Sequence, residues 1–348
     1  KKKLLLSFMF YLTYLISTYL FIIYITFFFR KKKILSNQTG DTHQTLVVKD
    51  SIPLTGGIFI LLGILYDLNF YQIIVFPILF LFILGILSDL KIIKSPNLKV
   101  FFQIVIILSF IYFSNIQIYD TRIEILDHFL ENYYFNLFFI TFSILVVING
   151  SNFIDGMNSL ATTYFIIVLG ILFKLYFFQD FNFYIKDHYM ILGCMLLMAI
   201  LNFKSKIFLG DSGSYILGFY FSILLIHFYK INPQLSPFLI ILLLWYPCYE
   251  NLFSILRKFN FKKSPLLADK NHLHQLMFLF FKKKYRLSNL YSNNLTTFFI
   301  TFFNFLIFIL ASMSPTKSEI QVTYIFLGVF LYTISYIKLL QLKAKKYI

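Results

Sequence analysis

Long apolar runs recur along this chain, and they decide what it can fold into. Many are about 20 residues long, the length that an α-helix needs to cross the hydrocarbon core of a bilayer. Of 348 residues, 59% are hydrophobic and only 13% are charged, more apolar surface than a soluble domain of this size could bury. Because backbone polar groups must be satisfied inside lipid, we expect an all-α, polytopic integral membrane protein that forms one domain over residues 1–348.

About eleven transmembrane helices are predicted, and the second is short for a span. They cover residues 4–29, 56–68, 71–87, 98–114, 135–148, 160–178, 189–203, 215–229, 237–256, 295–313 and 320–342. Three lysines precede the first apolar run, as in a signal peptide, but the run is too long and no small-residue cleavage site follows. We therefore expect the first span to be retained.

The distribution of Lys and Arg predicts the orientation. One set of connecting segments holds 21 of these residues and the opposite set holds 7. Since cytoplasmic loops are rich in Lys and Arg, the first set is predicted to be cytoplasmic, with the N-terminus outside and the C-terminus inside the plasma membrane. Residues 257–294 form the largest basic cytoplasmic loop. The net charge of +16 then follows from topology, and no nucleic acid partner is expected.

Polar side chains cluster between the predicted fifth and sixth spans. Asn149, Asn152, Asp155 and Asn158 follow one another at three-residue spacing, which places them along one side of a helix, drifting slowly around it. Such a row suits a phosphorylated ligand better than it suits lipid. A polar hinge between two spans is the competing interpretation.

A second cluster, FLGDSG, places Asp211 between glycines at the start of a span. Glycines let backbone N–H groups approach an anion, and a helix N-terminus adds positive potential. Ordinary N-capping by Asp211 or Ser212 would also explain the pattern.

Asp89, His272 and His274 complete the chemically interesting set. Asp89 ends a predicted span, where it could equally be an interfacial acid paired with a lysine. The two histidines alternate, so an extended segment would project both to one side. Cysteine ligands are absent from this cluster, and nearby carboxylates are hard oxygen donors that favour magnesium over zinc. A solvated basic loop explains the lysines there but not the paired histidines.

In family order, the chain carries KDSIPLTGG, the acid-bearing end of the third span, NGSNFIDGMNSLA, FLGDSG and HLH. Together these motifs resemble the polyprenyl-phosphate N-acetylhexosamine-1-phosphate transferases, which include undecaprenyl-phosphate GlcNAc-1-phosphate transferases and phospho-MurNAc-pentapeptide transferases. The resemblance runs from Lys49 to His274. It implies that sugar-1-phosphate passes from a UDP-N-acetylhexosamine to a polyprenyl phosphate lipid, with release of UMP.

The resemblance also implies residue roles. Asp211 matches a metal ligand for Mg²⁺, with Mn²⁺ as an alternative ion. Asn152 and Asp155 match nucleotide contacts that shape the metal site, so Asp155 is a second metal candidate. Lys49, Asn149 and Asn158 join the substrate-binding set. His272 and His274 match a pair serving the diphosphate, and Asp89 matches an acid assigned to activating the lipid phosphate.

Two positions depart from the family pattern. Ser88 stands where the first acid of a pair is expected, and Asn158 stands where a second acid is expected. Losing two negative charges should weaken the binding of a divalent ion, although both side chains still offer oxygen. The ion could then be held mostly through the substrate diphosphate. An inactive paralogue is the less favoured interpretation.

Other classes of protein fit less well. A transporter predicts polar groups near the bilayer midplane and repeated halves, neither of which the sequence shows. A binding-only scaffold would not need converging acids and histidines. Within the family, the peptidoglycan enzyme is the main alternative, but Leu273 interrupts its run of histidines. An enzyme that starts O-antigen or a similar envelope polysaccharide is favoured. The oligomeric state, including a homodimer, stays open.

Overall fold

The protein is built from α-helices. A computed structural model describes residues 2–36, 52–66, 72–260 and 271–345, and within these ranges it has fourteen α-helices and no strand. The helices are α1 (Lys2–Lys32), α2 (Gly56–Tyr66), α3 (Val75–Asp89), α4 (Pro96–Ser114), α5 (Glu124–Leu130), α6 (Tyr133–Ile154), α7 (Leu160–Gln179), α8 (Tyr189–Phe203), α9 (Gly210–Ile231), α10 (Pro237–Leu243), α11 (Trp245–Asn260), α12 (Leu273–Lys284), α13 (Asn289–Ala311) and α14 (Ser318–Ala344).

The prediction of an all-α polytopic membrane protein is confirmed. In the described ranges, eight helices are long and apolar enough to cross a membrane, or nine if α10 and α11 form one bent span. The shorter apolar helices α2 and α3 match the predicted second and third spans. Each predicted span therefore has a helical counterpart, while the total of eleven and the orientation stay predictions.

The predicted single span over residues 237–256 is wrong in one respect, because α10 and α11 meet at a bend of 69°. Pro247 lies in the first turn of α11 and has no N–H to bond the carbonyl of Leu243. The Tyr164 hydroxyl donates to that carbonyl instead, over 2.9 Å. The break therefore follows from a proline and from a side chain that satisfies the carbonyl it leaves unpaired.

Helix α9 lies at the centre of the molecule. In its most apolar stretch 72% of residues are buried, against 11% for α1, whose aromatic side chains face outward. Close approach by neighbouring helices encloses α9. A Cβ on Gly85 of α3 would lie 2.2 Å from the Ser212 Cα, and one on Gly57 of α2 would lie 2.7 Å from the Gly213 nitrogen. Two glycines thus let α2 and α3 pack against the first turn of α9.

Backbone pairing fixes the segment that enters α9. The Phe208 N–H donates to the Pro53 carbonyl at 2.9 Å, and the Gly56 N–H donates to the Phe208 carbonyl at 2.9 Å. An isolated antiparallel bridge also joins Ser36 to Pro53. The segment before α2 and the segment before α9 therefore lie side by side.

The prediction that one helix continues from Asn149 through Asn158 is wrong, because α6 ends at Ile154. Side-chain amides take the backbone donors that a further turn would use. The Asn158 N–H donates to Asn293 Oδ1 at 2.7 Å, and the Ser159 N–H donates to Asn202 Oδ1. Asp155 is the C-cap of α6, and Asn158 belongs to the turn that follows.

Candidate active site

Asp89 caps the N-terminus of α9 from another helix. Its Oδ1 accepts the Asp211 N–H at 2.9 Å, and its Oδ2 accepts the Ser212 N–H at 3.3 Å. These are two of the backbone donors that the start of an α-helix leaves unpaired. Gly210 makes the approach feasible, since its φ is +77° and a Cβ there would lie 2.8 Å from Asp89 Oδ2. The cap comes from Asp89, so N-capping by Asp211 or Ser212 does not explain FLGDSG.

The Asp211 carboxylate is instead surrounded by side chains from three other helices and its own. Oδ1 accepts from Asn152 Nδ2 at 2.7 Å. Oδ2 accepts from the Ser88 hydroxyl and, at 3.3 Å, from the Tyr215 hydroxyl. Lys99 Nζ lies 3.4 Å from the same oxygen. The carboxylate is therefore held at the point where α3, α4, α6 and α9 meet.

Asp155 lies beside this cluster, directly after the end of α6. Enclosure by the protein raises the pKa of its carboxyl well above the usual range, the carboxylates of Asp211 and Asp89 raise it further, and the Gly210 N–H opposes them. Three carboxylates are thus close enough to repel one another electrostatically. Such a group favours binding of a cation.

The two histidines contact residues next to Asp155 in the chain. The His272 ring packs on Phe153 with ring centres 5.2 Å apart, and it stacks on His274 at 5.5 Å with an angle of 7°. A Cβ on Gly156 would lie 2.5 Å from His274 Nε2. The HLH motif therefore adjoins the residues on both sides of Asp155. The predicted extended segment holds only at His272, whose backbone is extended, because helix α12 begins at Leu273 and includes His274.

The remaining predicted site residues lie elsewhere. Asn149 donates to Gln103 Oε1 at 2.9 Å, one turn of α6 away from Asn152. Asn158 donates from Nδ2 to Ser205 Oγ at 2.7 Å, and its carbonyl accepts from Thr297. These contacts join helices around the site, and substrate binding by either asparagine stays a prediction. Lys49 lies outside the described residues.

The donor set determines which metal ion the cluster suits. In the described residues, no group of three or more His, Cys, Asp or Glu side chains is placed to hold a metal ion. The groups around Asp211 are carboxylate, amide and hydroxyl oxygens, the donors that magnesium prefers. Magnesium commonly takes one or two carboxylates and completes its coordination with water and substrate phosphates. The residues present therefore fit an ion that arrives with a phosphorylated substrate.

Sequence reasoning missed two charged residues, Lys99 and Glu250. Both fall inside predicted spans, where they were counted with the surrounding apolar residues. Lys99 contacts Asp211, and Glu250 Oε1 lies 2.8 Å from His272 Nδ1. The signal that could have found them is general: a charged side chain within a membrane helix usually serves a site.

Fold and site together define a class: a multi-pass membrane protein with acids, amides, a lysine and two histidines gathered where helices end. Residues 71–229 match the family model described as glycosyl transferase family 4. This confirms the family that the motifs predicted, and the matched stretch belongs to it. Asp89, Asp155 and Asp211 fall inside this stretch, whereas the HLH motif and Lys49 fall outside it.

Two curated proteins are similar to parts of the chain. A Bacillus subtilis protein named a probable undecaprenyl-phosphate N-acetylglucosaminyl 1-phosphate transferase is 31% identical over 140 residues, which cover 39% of each chain. A Thermotoga maritima undecaprenyl-phosphate alpha-N-acetylglucosaminyl 1-phosphate transferase is 36% identical over 72 residues, 21% of this chain and 23% of that one. The similar stretches thus span well under half of either relative.

Proposed function

We propose that this protein transfers an N-acetylhexosamine-1-phosphate from a UDP-sugar to a polyprenyl phosphate. An oxygen of the lipid phosphate attacks the β-phosphorus, the bond to the bridging oxygen of UMP breaks, and the products are a lipid-linked sugar diphosphate and UMP. One observation carries the proposal. Asp211 lies at the buried N-terminus of α9, bound by Asn152 and Lys99, and Asp89 and Asp155 lie beside it. The names of the two relatives and the family match support the same reaction.

The residues of the site have different roles, and together these roles suit two anionic substrates. Asp211 and Asp155 would hold Mg²⁺, which when bound neutralises phosphate charge during the transfer. Lys99 and the histidines add positive charge or N–H donors for the phosphate oxygens. A lipid phosphate already carries a charged oxygen near neutral pH, so it needs positioning more than deprotonation.

Asp89 suits a positioning role better than a role as base. Both of its oxygens accept backbone N–H groups of α9, so the carboxylate holds the helix start that carries Asp211. Ser88 occupies the place of a family acid and donates to Asp211. Since Ser88 adds no charge, the ion would depend more on the substrate diphosphate.

The site is proposed to lie on the cytoplasmic face of the plasma membrane, because UDP-sugars are found in the cytoplasm. The product would start an envelope polysaccharide such as O-antigen.

An assay of lipid product tests the proposal. Membranes containing the protein are supplied with radiolabelled UDP-GlcNAc, other UDP-N-acetylhexosamines or UDP-MurNAc-pentapeptide, with magnesium, manganese or EDTA. We expect chloroform-soluble label from a UDP-N-acetylhexosamine only when a divalent ion is present. Label from UDP-MurNAc-pentapeptide alone would support the peptidoglycan reaction, and no lipid product from any donor would refute the proposal.

A further inference from the structure

Glu250 is a fully buried acid in α11, outside the Asp211 cluster. Its side chain is 0% exposed, and both carboxylate oxygens have hydrogen-bond partners. Oε1 lies 2.8 Å from His272 Nδ1 and accepts the Leu273 N–H at 3.4 Å, while Oε2 accepts the Tyr332 hydroxyl at 2.7 Å. Because the two oxygens are held by different helices, the plane of the carboxylate is fixed.

The contact at Nδ1 determines the chemistry of the histidine. A carboxylate accepts hydrogen bonds but does not donate them, so the ring nitrogen that bonds Glu250, Nδ1, carries a proton. Nε2 is then the nitrogen assigned to a ligand. Stacking on Phe153 and His274 restrains the ring plane further. His272 is thus oriented by its partner in the way that carboxylates orient histidines in metal and catalytic sites.

We propose that Glu250 is a positioning residue that acts through His272, and that it orients Nε2 toward the diphosphate of the nucleotide sugar. The inference rests on the proposed function, because it assigns the histidine to that substrate. When the ring carries a proton on both nitrogens, Nδ1–H donates to Glu250 and Nε2–H would donate to a phosphate oxygen.

A purely structural role accounts less well for this charge. A buried ion pair is often replaced by apolar residues without loss of stability, so packing alone does not call for a carboxylate beside Tyr246 and Tyr332. A role through His272 also makes a prediction that a packing role does not. Replacing Glu250 should weaken the affinity for the nucleotide and leave the affinity for the lipid acceptor unchanged.

The first test separates these affinities. Glu250→Gln keeps the size of the side chain but removes its charge and replaces one accepting oxygen with a donor. We expect the KM for the UDP-sugar to rise about tenfold while the KM for polyprenyl phosphate stays within about twofold. Glu250→Asp restores the charge at a shorter reach and should give an intermediate KM. Glu319→Gln, the same change at an exposed position in the first turn of α14, is the matched control and should behave like wild type.

Tyr332→Phe provides a milder variant if Glu250→Gln fails to fold. It removes the donor to Oε2 and keeps the ring, so it should shift the KM for the UDP-sugar in the same direction by a smaller factor. Uniform loss of kcat with both KM values unchanged, in either variant, would overturn the inference.

A double-mutant cycle tests whether Glu250 acts through the histidine. UDP binding to the purified protein in detergent is measured by calorimetry for wild type, Glu250→Gln, His272→Gln and the double variant. We expect Glu250→Gln to weaken binding about tenfold in the wild-type background and by less than about twofold when His272 is already replaced. Equal effects in both backgrounds would refute the inference while leaving the proposed function intact. A wild-type protein that neither binds UDP nor makes lipid product would refute both.

Discussion

At the residue scale, Asp211 is the carboxylate on which the proposed chemistry depends most. Asp211→Asn removes the negative charge and replaces one accepting oxygen with an NH₂ group. That group would then face a hydrogen-bond donor, since both oxygens of Asp211 accept hydrogen bonds. We expect formation of the lipid product to fall by at least about a hundredfold, with the protein still present in the membrane, and the same for Asp155→Asn. Asp180→Asn is the matched control, because Asp180 is exposed and its left-handed backbone suits Asn equally well. Full activity of the Asp211→Asn variant would refute the role assigned to Asp211.

Lys99 supplies a test that the sequence motifs did not suggest. Its Nζ lies 3.4 Å from Asp211 Oδ2, and the two side chains are 19% and 12% exposed. Both side chains are mostly enclosed, so Lys99→Gln removes a counter-charge from a group of buried carboxylates, and we expect the melting temperature to fall in the absence of magnesium. The loss of positive charge should also raise the KM for an anionic substrate about tenfold. Lys94→Gln, an exposed lysine shortly before α4, should change neither quantity.

Ser88 permits a prediction about metal dependence. Its hydroxyl donates to Asp211 Oδ2, and a carboxylate at this position could only accept. Ser88→Asp therefore places two like charges in contact unless a cation separates them. We expect its melting temperature to fall below that of wild type in EDTA and to recover in millimolar magnesium. Ser88→Ala removes the hydroxyl without adding charge, so a recovery of equal size in that variant would contradict this explanation.

The sequence predicted some contacts of individual residues and missed others for a physical reason. The motifs indicated that Asp89, Asp155 and Asp211 belong together, and the structure places them at one cluster. Lys99 and Glu250 escaped notice because hydropathy averages over a span and hides one charged side chain within it. Their partners, Asp211 and His272, come from distant parts of the chain. Only the packing of the helices reveals such pairs.

At the element scale, the site depends on the close approach of α3 to α9. A Cβ on Gly85 would lie 2.2 Å from the Ser212 Cα and 2.4 Å from its nitrogen, and neither backbone atom can move out of the way alone. Gly85→Ala should therefore push α3 from α9 and lengthen the hydrogen bonds from the first turn of α9 to Asp89. We expect a loss of about 1–3 kcal/mol in stability together with a loss of activity.

Gly170→Ala is the control for this substitution. Gly170 lies within α7, and an added Cβ there would have nothing within 4 Å. Since alanine favours helix more than glycine does, this variant should keep its activity and melt at or slightly above the wild-type temperature. Equal destabilisation of the two variants in a thermal melt would show that the α3–α9 contact has no special role.

Helix existence was easier to predict than helix ends. Each predicted span has a helical counterpart, because apolar runs of this length admit little else in a membrane. The end of α6 depends on amides of Asn202 and Asn293, which belong to other helices and leave no mark in the local sequence. The bend between α10 and α11 had a local signal in Pro247, but its position also depends on Tyr164. Tertiary contacts therefore set the boundaries that shape the site.

At the scale of the whole molecule, the charged and polar residues of the site lie at ends of helices. Asp89 ends α3, Asp155 follows α6, Asp211 begins α9 and His272 precedes α12. Lys99 lies in the first turn of α4. Helix α4 is long and apolar enough to cross a membrane, in which case its opposite end and α5 lie on the other side. Polar groups gathered at one surface suit an enzyme that joins a soluble nucleotide to a lipid, whereas a transporter needs them near the midplane.

Orientation can be tested with two cysteines placed at opposite ends of α4. Lys94 lies just before the helix, near the site, and Glu124 lies beyond its other end; both are exposed. Cys194 and Cys248 are first replaced by alanine, since both lie among apolar residues. The excess of Lys and Arg on the side of the site predicts that this side is cytoplasmic. Glu124→Cys should therefore react with a membrane-impermeant maleimide in intact spheroplasts, and Lys94→Cys should react only after they are opened. The reverse pattern would place the site outside the cell, away from UDP-sugars, and would contradict both the predicted topology and the proposed reaction.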